Sequence, residues 1–200
     1  MRAGVRLEVI TAGWMAAEAT LAIGAGVAAR SVLLTAFGFD SVIELLSGVT
    51  LLWRLSSEVR GAAPRAMEAI ERRATAISAA LLVLLCAYLV LVGLAGIATH
   101  LHPEGSWLGV AVAAAAVLVM PLLAWRKRRV NAVIGSPALR ADIAETITCA
   151  YMAMATLAGA GLNLLFGLWW PEYAAALGLL VFIVIETREA LQAARGGEEN

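Results

Sequence analysis

Charged, aromatic and cysteine residues are all scarce in this 200-residue chain. Charged residues make up 15% of it and aromatic residues 6%, and the formal net charge is zero. Such a balanced charge gives no support to nucleic-acid binding. The two cysteines, Cys86 and Cys149, both stand in apolar runs, so we expect no structural disulfide. No pattern in the sequence suggests an enzyme.

Hydrophobic residues are correspondingly abundant, at 62% of the chain, with a mean hydropathy of +0.84. Soluble domains are only about half apolar. A helix needs about 20 apolar residues to cross a bilayer, so six spans would use about 120 residues and leave no room for an ordinary soluble domain. We therefore predict an all-α polytopic protein of the cell membrane, a six-transmembrane-helix bundle in contact with lipid. The predicted spans are 7–29, 32–54, 74–99, 107–125, 137–166 and 173–190.

The basic residues predict the orientation. Fourteen of the fifteen Lys and Arg residues fall in segments on one side of the predicted membrane, and only Arg30 falls on the other. Since Lys and Arg gather in cytoplasmic loops, both termini are predicted to be cytoplasmic. Trp107, Trp169 and Trp170 suit the opposite interface. The apolar run 9–29 is too long for the hydrophobic part of a signal peptide, so we interpret it as the first span.

Two acidic residues interrupt the second predicted span. Asp40 and Glu44 are four residues apart, which places both carboxylates on one face of a helix. Ionisable residues inside a membrane are costly and usually functional. Two like charges there would repel each other, and a bound divalent cation would let both ionise. The alternative is a pair of protonated acids that hydrogen-bond to a neighbouring helix.

Glu145 and Cys149 repeat the same spacing in the fifth predicted span. Spans two and five run in opposite directions. If they lie side by side, Asp40 faces the level of Cys149 and Glu44 faces Glu145. Three carboxylates and a thiolate suit a divalent transition ion such as Zn²⁺, Fe²⁺, Co²⁺ or Mn²⁺. Cysteine also packs well as a small apolar residue, so Cys149 alone does not decide the question.

For several other ionisable residues, the sequence allows more than one role. Glu18, in the middle of span one, has three possible roles: ligand, carrier of a coupling proton, or partner of a neighbouring helix. Asp142 stands nearer the cytoplasm, either as an attracting charge at the entrance or as a cap or partner of a loop arginine. His100 and His102 are candidates for an outer-mouth metal site, although a polar turn needs polar residues anyway. Glu186 lies near a helix end, where its carboxylate can reach water.

Two segments carry a resemblance to a known family. Segment 37–47, FGFDSVIELLS, resembles the second-helix signature of the cation diffusion facilitators, and segment 138–149, ALRADIAETITC, resembles the start of their fifth helix. The resemblance covers all six predicted spans in the expected order. In that family, a pair of Asp or His residues on each of these helices makes a tetrahedral metal site. The resemblance implies Asp40 and Glu44 as the first pair and Glu145 and Cys149 as the second.

This chain departs from the family pattern in three places. Members with a known zinc site use His and Asp on helix 5, so the resemblance does not fix the metal. A His-rich loop between helices 4 and 5 is missing. A cytoplasmic ferredoxin-like domain after helix 6 is also missing, which implies a short, membrane-only branch. In such a branch we expect a homodimer formed through membrane helices and no metal sensing by a soluble domain.

Three functions follow as hypotheses. The first is a secondary transporter that exports a divalent metal ion from the cytoplasm in exchange for protons, with Asp40, Glu44, Glu145 and Cys149 as ligands. The second is a proton-coupled exporter of organic cations that uses Glu18 and Asp40. A third is a non-transporting membrane subunit or metal sensor, in which the acids serve helix packing.

Overall fold

A bundle of α-helices makes up the computed structural model, which describes residues 2–59, 64–99, 101–135 and 137–196. The predicted all-α fold is confirmed. Five of the helices contain apolar stretches of 20 to 27 residues, enough to cross a membrane, and the sixth contains a shorter apolar stretch, Trp170–Ile185. The helices are α1 (Arg2–Ala29), α2 (Val32–Val59), α3 (Pro64–Ala98), α4 (Trp107–Ile134), α5 (Pro137–Phe166) and α6 (Trp170–Gly196).

Several helices continue past the predicted spans at one end of the bundle, which we call the basic end. It comprises the start of α1, the α2–α3 and α4–α5 connections and the end of α6, and it is the predicted cytoplasmic side. The opposite side, with the turns at 30–31, 101–106 and 167–169, is the tryptophan end. Arg and Glu are good helix formers. Helical backbone therefore runs on through the charged segments, and α4 reaches Ile134 rather than 125.

The helices pack as two hairpins and one pair distant in sequence. α1 packs against α2 and α4 against α5, while α3 packs against α6. α2 also contacts α3, α5 and α6, and α1 contacts α4. In the apolar part of α2, 67% of the residues are buried, against 28–44% in the other four long spans. This central position of α2 surrounds any polar side chain in its middle with protein.

A tight turn and a small residue bring α1 and α2 together. Arg30 has a φ of 54°, and the Ser31 N–H donates to the Gly26 carbonyl at 2.9 Å. Ser31 Oγ accepts from the Leu34 N–H at 3.1 Å and so caps the start of α2. A Cβ on Gly26 would lie only 2.5 Å from the Thr35 backbone nitrogen. Close approach of membrane helices depends on such small residues.

The substitution Gly26→Ala is expected to destabilise the protein by about 1–3 kcal/mol, because the added methyl group meets backbone that cannot move aside. Gly24→Ala is the matched control. It lies on the same helix, and a Cβ there has no heavy atom within 4 Å. Thermal unfolding in detergent checks both. The melting temperature should fall for G26A and stay level or rise for G24A, and an equal fall for both would contradict this account of the hairpin.

Large apolar side chains cover the outside of the bundle. Leu118 is 75% exposed and Leu91 is 69% exposed. In water such a surface would drive aggregation, but in a bilayer it contacts lipid chains without cost. The protein is thus a multi-pass membrane protein. Other side chains of this outer surface include Leu84, Leu94, Leu165 and Val181.

Candidate metal centre

Asp40, Glu44 and Cys149 meet inside the bundle. α2 supplies the two acids one turn apart, and antiparallel α5 supplies the thiol. One potential ligand atom from each lies within 4.8 Å of those of the other two. All three residues are buried, at 2%, 8% and 0% exposure respectively. We call this group the metal triad.

The ligand chemistry of the metal triad suits a transition ion. Carboxylate oxygen and thiolate sulfur are both common ligands of Zn²⁺, and thiolate favours softer metals over Mg²⁺ or Ca²⁺. Both cysteines in the chain are free, so Cys149 is not committed to a disulfide. A buried cluster of acids and a cysteine could therefore hold a metal ion.

Glu145 lies one turn from Cys149 on α5 but is not among the three residues whose ligand atoms meet. Its side chain is partly exposed, whereas Cys149 is fully buried. Of the four predicted ligands, the structure thus brings Asp40, Glu44 and Cys149 together, and Glu145 is not part of this group.

Glu18 borders the metal triad from α1. Its Oε1 accepts from Ser41 Oγ at 2.8 Å and lies 3.9 Å from the Cys149 sulfur, while its Oε2 accepts from Trp14 Nε1 at 2.5 Å. Glu18 is 1% exposed. Of the roles the sequence left open, the structure shows a bond to the neighbouring helix α2, and it places the same carboxylate beside a triad residue.

Asp142 lies on α5 two turns closer to the basic end than Cys149. Its Oδ2 accepts from Lys127 Nζ at 2.5 Å. Lys127 is 0% exposed and lies within α4, so the partner of Asp142 is a buried helix residue rather than a loop arginine. Glu8 on α1, which the sequence analysis missed, completes the contact, with its Oε2 3.5 Å from Lys127 Nζ.

A helical signal for Lys127 exists in the sequence. The buried face of α4 contains Ala116, Met120 and Leu123, at intervals of four and three residues. One further step of four reaches Lys127, whereas its basic neighbours Arg126 and Arg128 point outward. Continuing the apolar stripe therefore predicts which of the four clustered cations faces inward.

Glu172, a second buried carboxylate that the sequence did not predict, links several elements at the tryptophan end. Glu172 is 3% exposed, and it accepts from Ser31 Oγ at 2.5 Å and from Asn163 Nδ2 at 2.8 Å. Asn163 Nδ2 also donates to the Pro103 carbonyl at 2.9 Å. These bonds connect the α1–α2 turn, the segment before α4, α5 and α6. They hold these elements together at the tryptophan end of the bundle.

His102, one of the two outer-mouth candidates, stacks on Trp169 with 5.1 Å between ring centroids. Trp169 in turn lies edge-on to Tyr173, whose hydroxyl donates to the Leu101 carbonyl at 2.7 Å. The structure therefore shows His102 in an aromatic contact at the tryptophan end. The other candidate, His100, lies outside the described residues.

Comparison with known sequences agrees with this geometry. No curated protein sequence matches the chain significantly. The family described as the cation efflux transmembrane domain matches it from residue 10 to residue 195, nearly the whole 200-residue chain. All six helices and every residue of the metal triad lie within the match or overlap it. The chain belongs to the cation efflux transmembrane domain family.

Proposed function

We propose that this protein is a secondary transporter that exports a divalent transition-metal ion, of the Zn²⁺, Fe²⁺, Co²⁺ or Mn²⁺ class, from the cytoplasm in exchange for protons. The metal triad is the single observation that carries the proposal. Two buried carboxylates and a buried thiol converge from two antiparallel helices of a cation efflux protein. Intramembrane ionisable groups of this kind mark ion pathways.

The proposed ligands are the metal triad and Glu145. Zn²⁺ prefers four ligands in a tetrahedron. Three are already close, and a rotamer change would bring the Glu145 carboxylate, one turn away on α5, toward Cys149. Glu18 is the accessory group. It holds Ser41 and Trp14 by hydrogen bonds, and it is near enough to the Cys149 sulfur to take its proton when a metal binds.

Coupling follows from the ligands themselves. A carboxylate binds either a metal ion or a proton, so loading the metal releases protons from the site and unloading it takes protons up. Alternating access would move one group of helices against another around the fixed site. The α1–α2 and α4–α5 hairpins are suitable moving groups, because the Glu172 bonds that close the tryptophan end run between them and α6.

Proteoliposomes with a pH gradient test this function. Vesicles with an acidic lumen, the membrane potential clamped and a metal-sensitive dye inside are expected to accumulate Zn²⁺ or Co²⁺ several-fold above vesicles without a gradient. Each pH unit can sustain a tenfold metal gradient per exchanged proton, because both correspond to about 1.4 kcal/mol. Protein-free vesicles with the same gradient are the control, and accumulation that ignores the gradient would rule out proton exchange.

Export of organic cations is the alternative, and the one described crevice does not suit it. Such a substrate needs a roomier site with aromatic walls. A crevice of about 370 Å³ opens between α4 and α5, but its described lining is Arg128, Asn131, Ala132, Arg140, Ile143, Ala144 and Ile147. The two arginines repel a cation, and no aromatic side chain is among the described residues that line the crevice. Saturable uptake of a hydrophobic dye cation by the same vesicles, with no response to metals, would reverse this choice.

A further inference from the structure

The ammonium group of Lys127 lies among a second group of acidic side chains, separate from the metal triad. Its ammonium contacts Asp142 Oδ2 at 2.5 Å, Thr146 Oγ1 at 3.2 Å and Glu8 Oε2 at 3.5 Å. Thr146 donates its own hydrogen to the Asp142 carbonyl at 2.9 Å, so its oxygen presents a lone pair to the ammonium. Three helices thus each direct groups at one point, α1 and α5 with oxygen and α4 with a cation.

This set lies between the metal triad and the basic end. Asp142 precedes Cys149 by seven residues on α5, which is about 10 Å along the helix axis. On α1, Glu8 precedes Glu18 by ten residues, about 15 Å. The two layers of carboxylates therefore follow one another along the same helices. A cation that travels from the basic end to the metal triad between α1 and α5 must pass the Glu8 layer first.

Glu8, Asp142 and Thr146 offer more hydrogen-bond acceptors than the Lys127 ammonium satisfies. Glu8 is 0% exposed, and its Oε1 has no hydrogen-bond partner among the described residues. A buried carboxylate oxygen without a partner is costly, and groups of this kind are normally satisfied by a hydrogen bond, water or an ion. Two carboxylates and a hydroxyl are oxygen ligands, which suit a hard divalent ion such as Mn²⁺.

We propose that Glu8, Asp142 and Thr146 form a second cation site, which the Lys127 ammonium fills as a tethered cation in this state and from which a divalent ion displaces it. The passing of a metal from this site to the metal triad rests on the proposed export function. The existence of the site does not, because it is defined by its own ligands.

Counting bound Mn²⁺ tests the site independently of transport. The background variant carries Asp40→Asn, Glu44→Gln and Cys149→Ser, so that the metal triad no longer binds. In this background, Lys127→Ala removes the ammonium and leaves space. This variant is expected to bind one more Mn²⁺ per chain than the background variant. Bound Mn²⁺ is counted from the loss of the electron paramagnetic resonance signal of the free ion. Lys127→Met also removes the charge but fills the space, and it is expected to bind none.

Further variants give the outcomes that would overturn the proposal. Adding Asp142→Asn to the Lys127→Ala chain should abolish the additional Mn²⁺. Equal Mn²⁺ binding by the Ala and Met variants, or none by either, would show that Lys127 serves helix packing only. If the Ala variant is recovered monodisperse only when Mn²⁺ is present during solubilisation, the site is supported. Aggregation of that variant both with and without Mn²⁺ overturns the proposal.

Discussion

Replacing Asp40 with Asn and Glu44 with Gln is expected to reduce metal transport in proteoliposomes to about 1% of the wild-type rate or less. Each substitution keeps the size of the side chain and removes its charge. Loss of even an indirect partner of a metal ligand costs about 10- to 100-fold in affinity, and here two direct ligands are lost together. Both residues are buried beside Cys149. Acids on the water-exposed surface therefore cannot reach the metal in their place.

Glu104→Gln is the matched control for this experiment. Glu104 is an acid at the tryptophan end with an exposed side chain, and its backbone rather than its carboxylate holds the local fold. Transport should stay at the wild-type level. Full transport by the Asp40→Asn, Glu44→Gln protein would disprove the proposed site. Two further single variants, Glu145→Gln and Glu18→Gln, then identify the fourth ligand, because loss of a direct ligand should weaken equilibrium metal binding more than loss of its neighbour.

The substitution Cys149→Ser is expected to weaken Zn²⁺ binding by about 10- to 100-fold and to change Mn²⁺ binding much less. Sulfur is the softest donor in the metal triad, and Zn²⁺ gains more from thiolate than Mn²⁺ does. Serine keeps the shape of the side chain and offers oxygen instead. Competition titrations of the purified protein with the two metals measure the change in selectivity.

Cys86 provides the control for this thiol. It is the other free cysteine, on α3, and its sulfur lies 3.7 Å from Thr187 Oγ1 on α6, away from the metal triad. Cys86→Ser should leave both metal affinities unchanged. Equal losses of Zn²⁺ and Mn²⁺ binding in Cys149→Ser would mean that Cys149 acts through packing rather than as a ligand.

The spacing of residues along a helix predicts which side chains of that helix share a face of the site. The four-residue interval from Asp40 to Glu44 predicts a common face, and the antiparallel course of spans two and five predicts Cys149 near these two acids. The structure brings these three residues together, and their proximity follows from helix geometry and from the need to shield charged groups from lipid. Which of Cys149 and Glu145 faces α2 more directly depends on the rotation of α5 about its axis, which packing with α2 and α4 sets.

The contacts that the sequence did not predict involve charges near helix ends. Lys127 stands among three arginines, and its difference from them lies only in the helical phase of α4. Glu8 stands in the first turns of α1, where an acid would usually reach water. Glu172 falls between the predicted spans 137–166 and 173–190, and its hydrogen bonds go to Ser31 and Asn163, both distant in the sequence or on another helix. The phase of α4 predicts that Lys127 faces inward, but the partners that these charges meet on distant helices leave no periodic signal in the sequence.

The pairing of α3 with α6 has a consequence for synthesis. The partners are separated by the 71 residues from 99 to 169, which take roughly 4–14 s to translate at about 5–20 residues per second. During that interval α3 has left the ribosome and its final neighbour does not yet exist. The apolar stretch Ala79–Ala98 has a hydropathy of 2.8, the highest of the five long spans, whereas α1 has 1.3. We infer that α3 is apolar enough to expose its α6-facing side to lipid while only α2 lies beside it, whereas the more polar α1 joins α2 almost as soon as both are inserted.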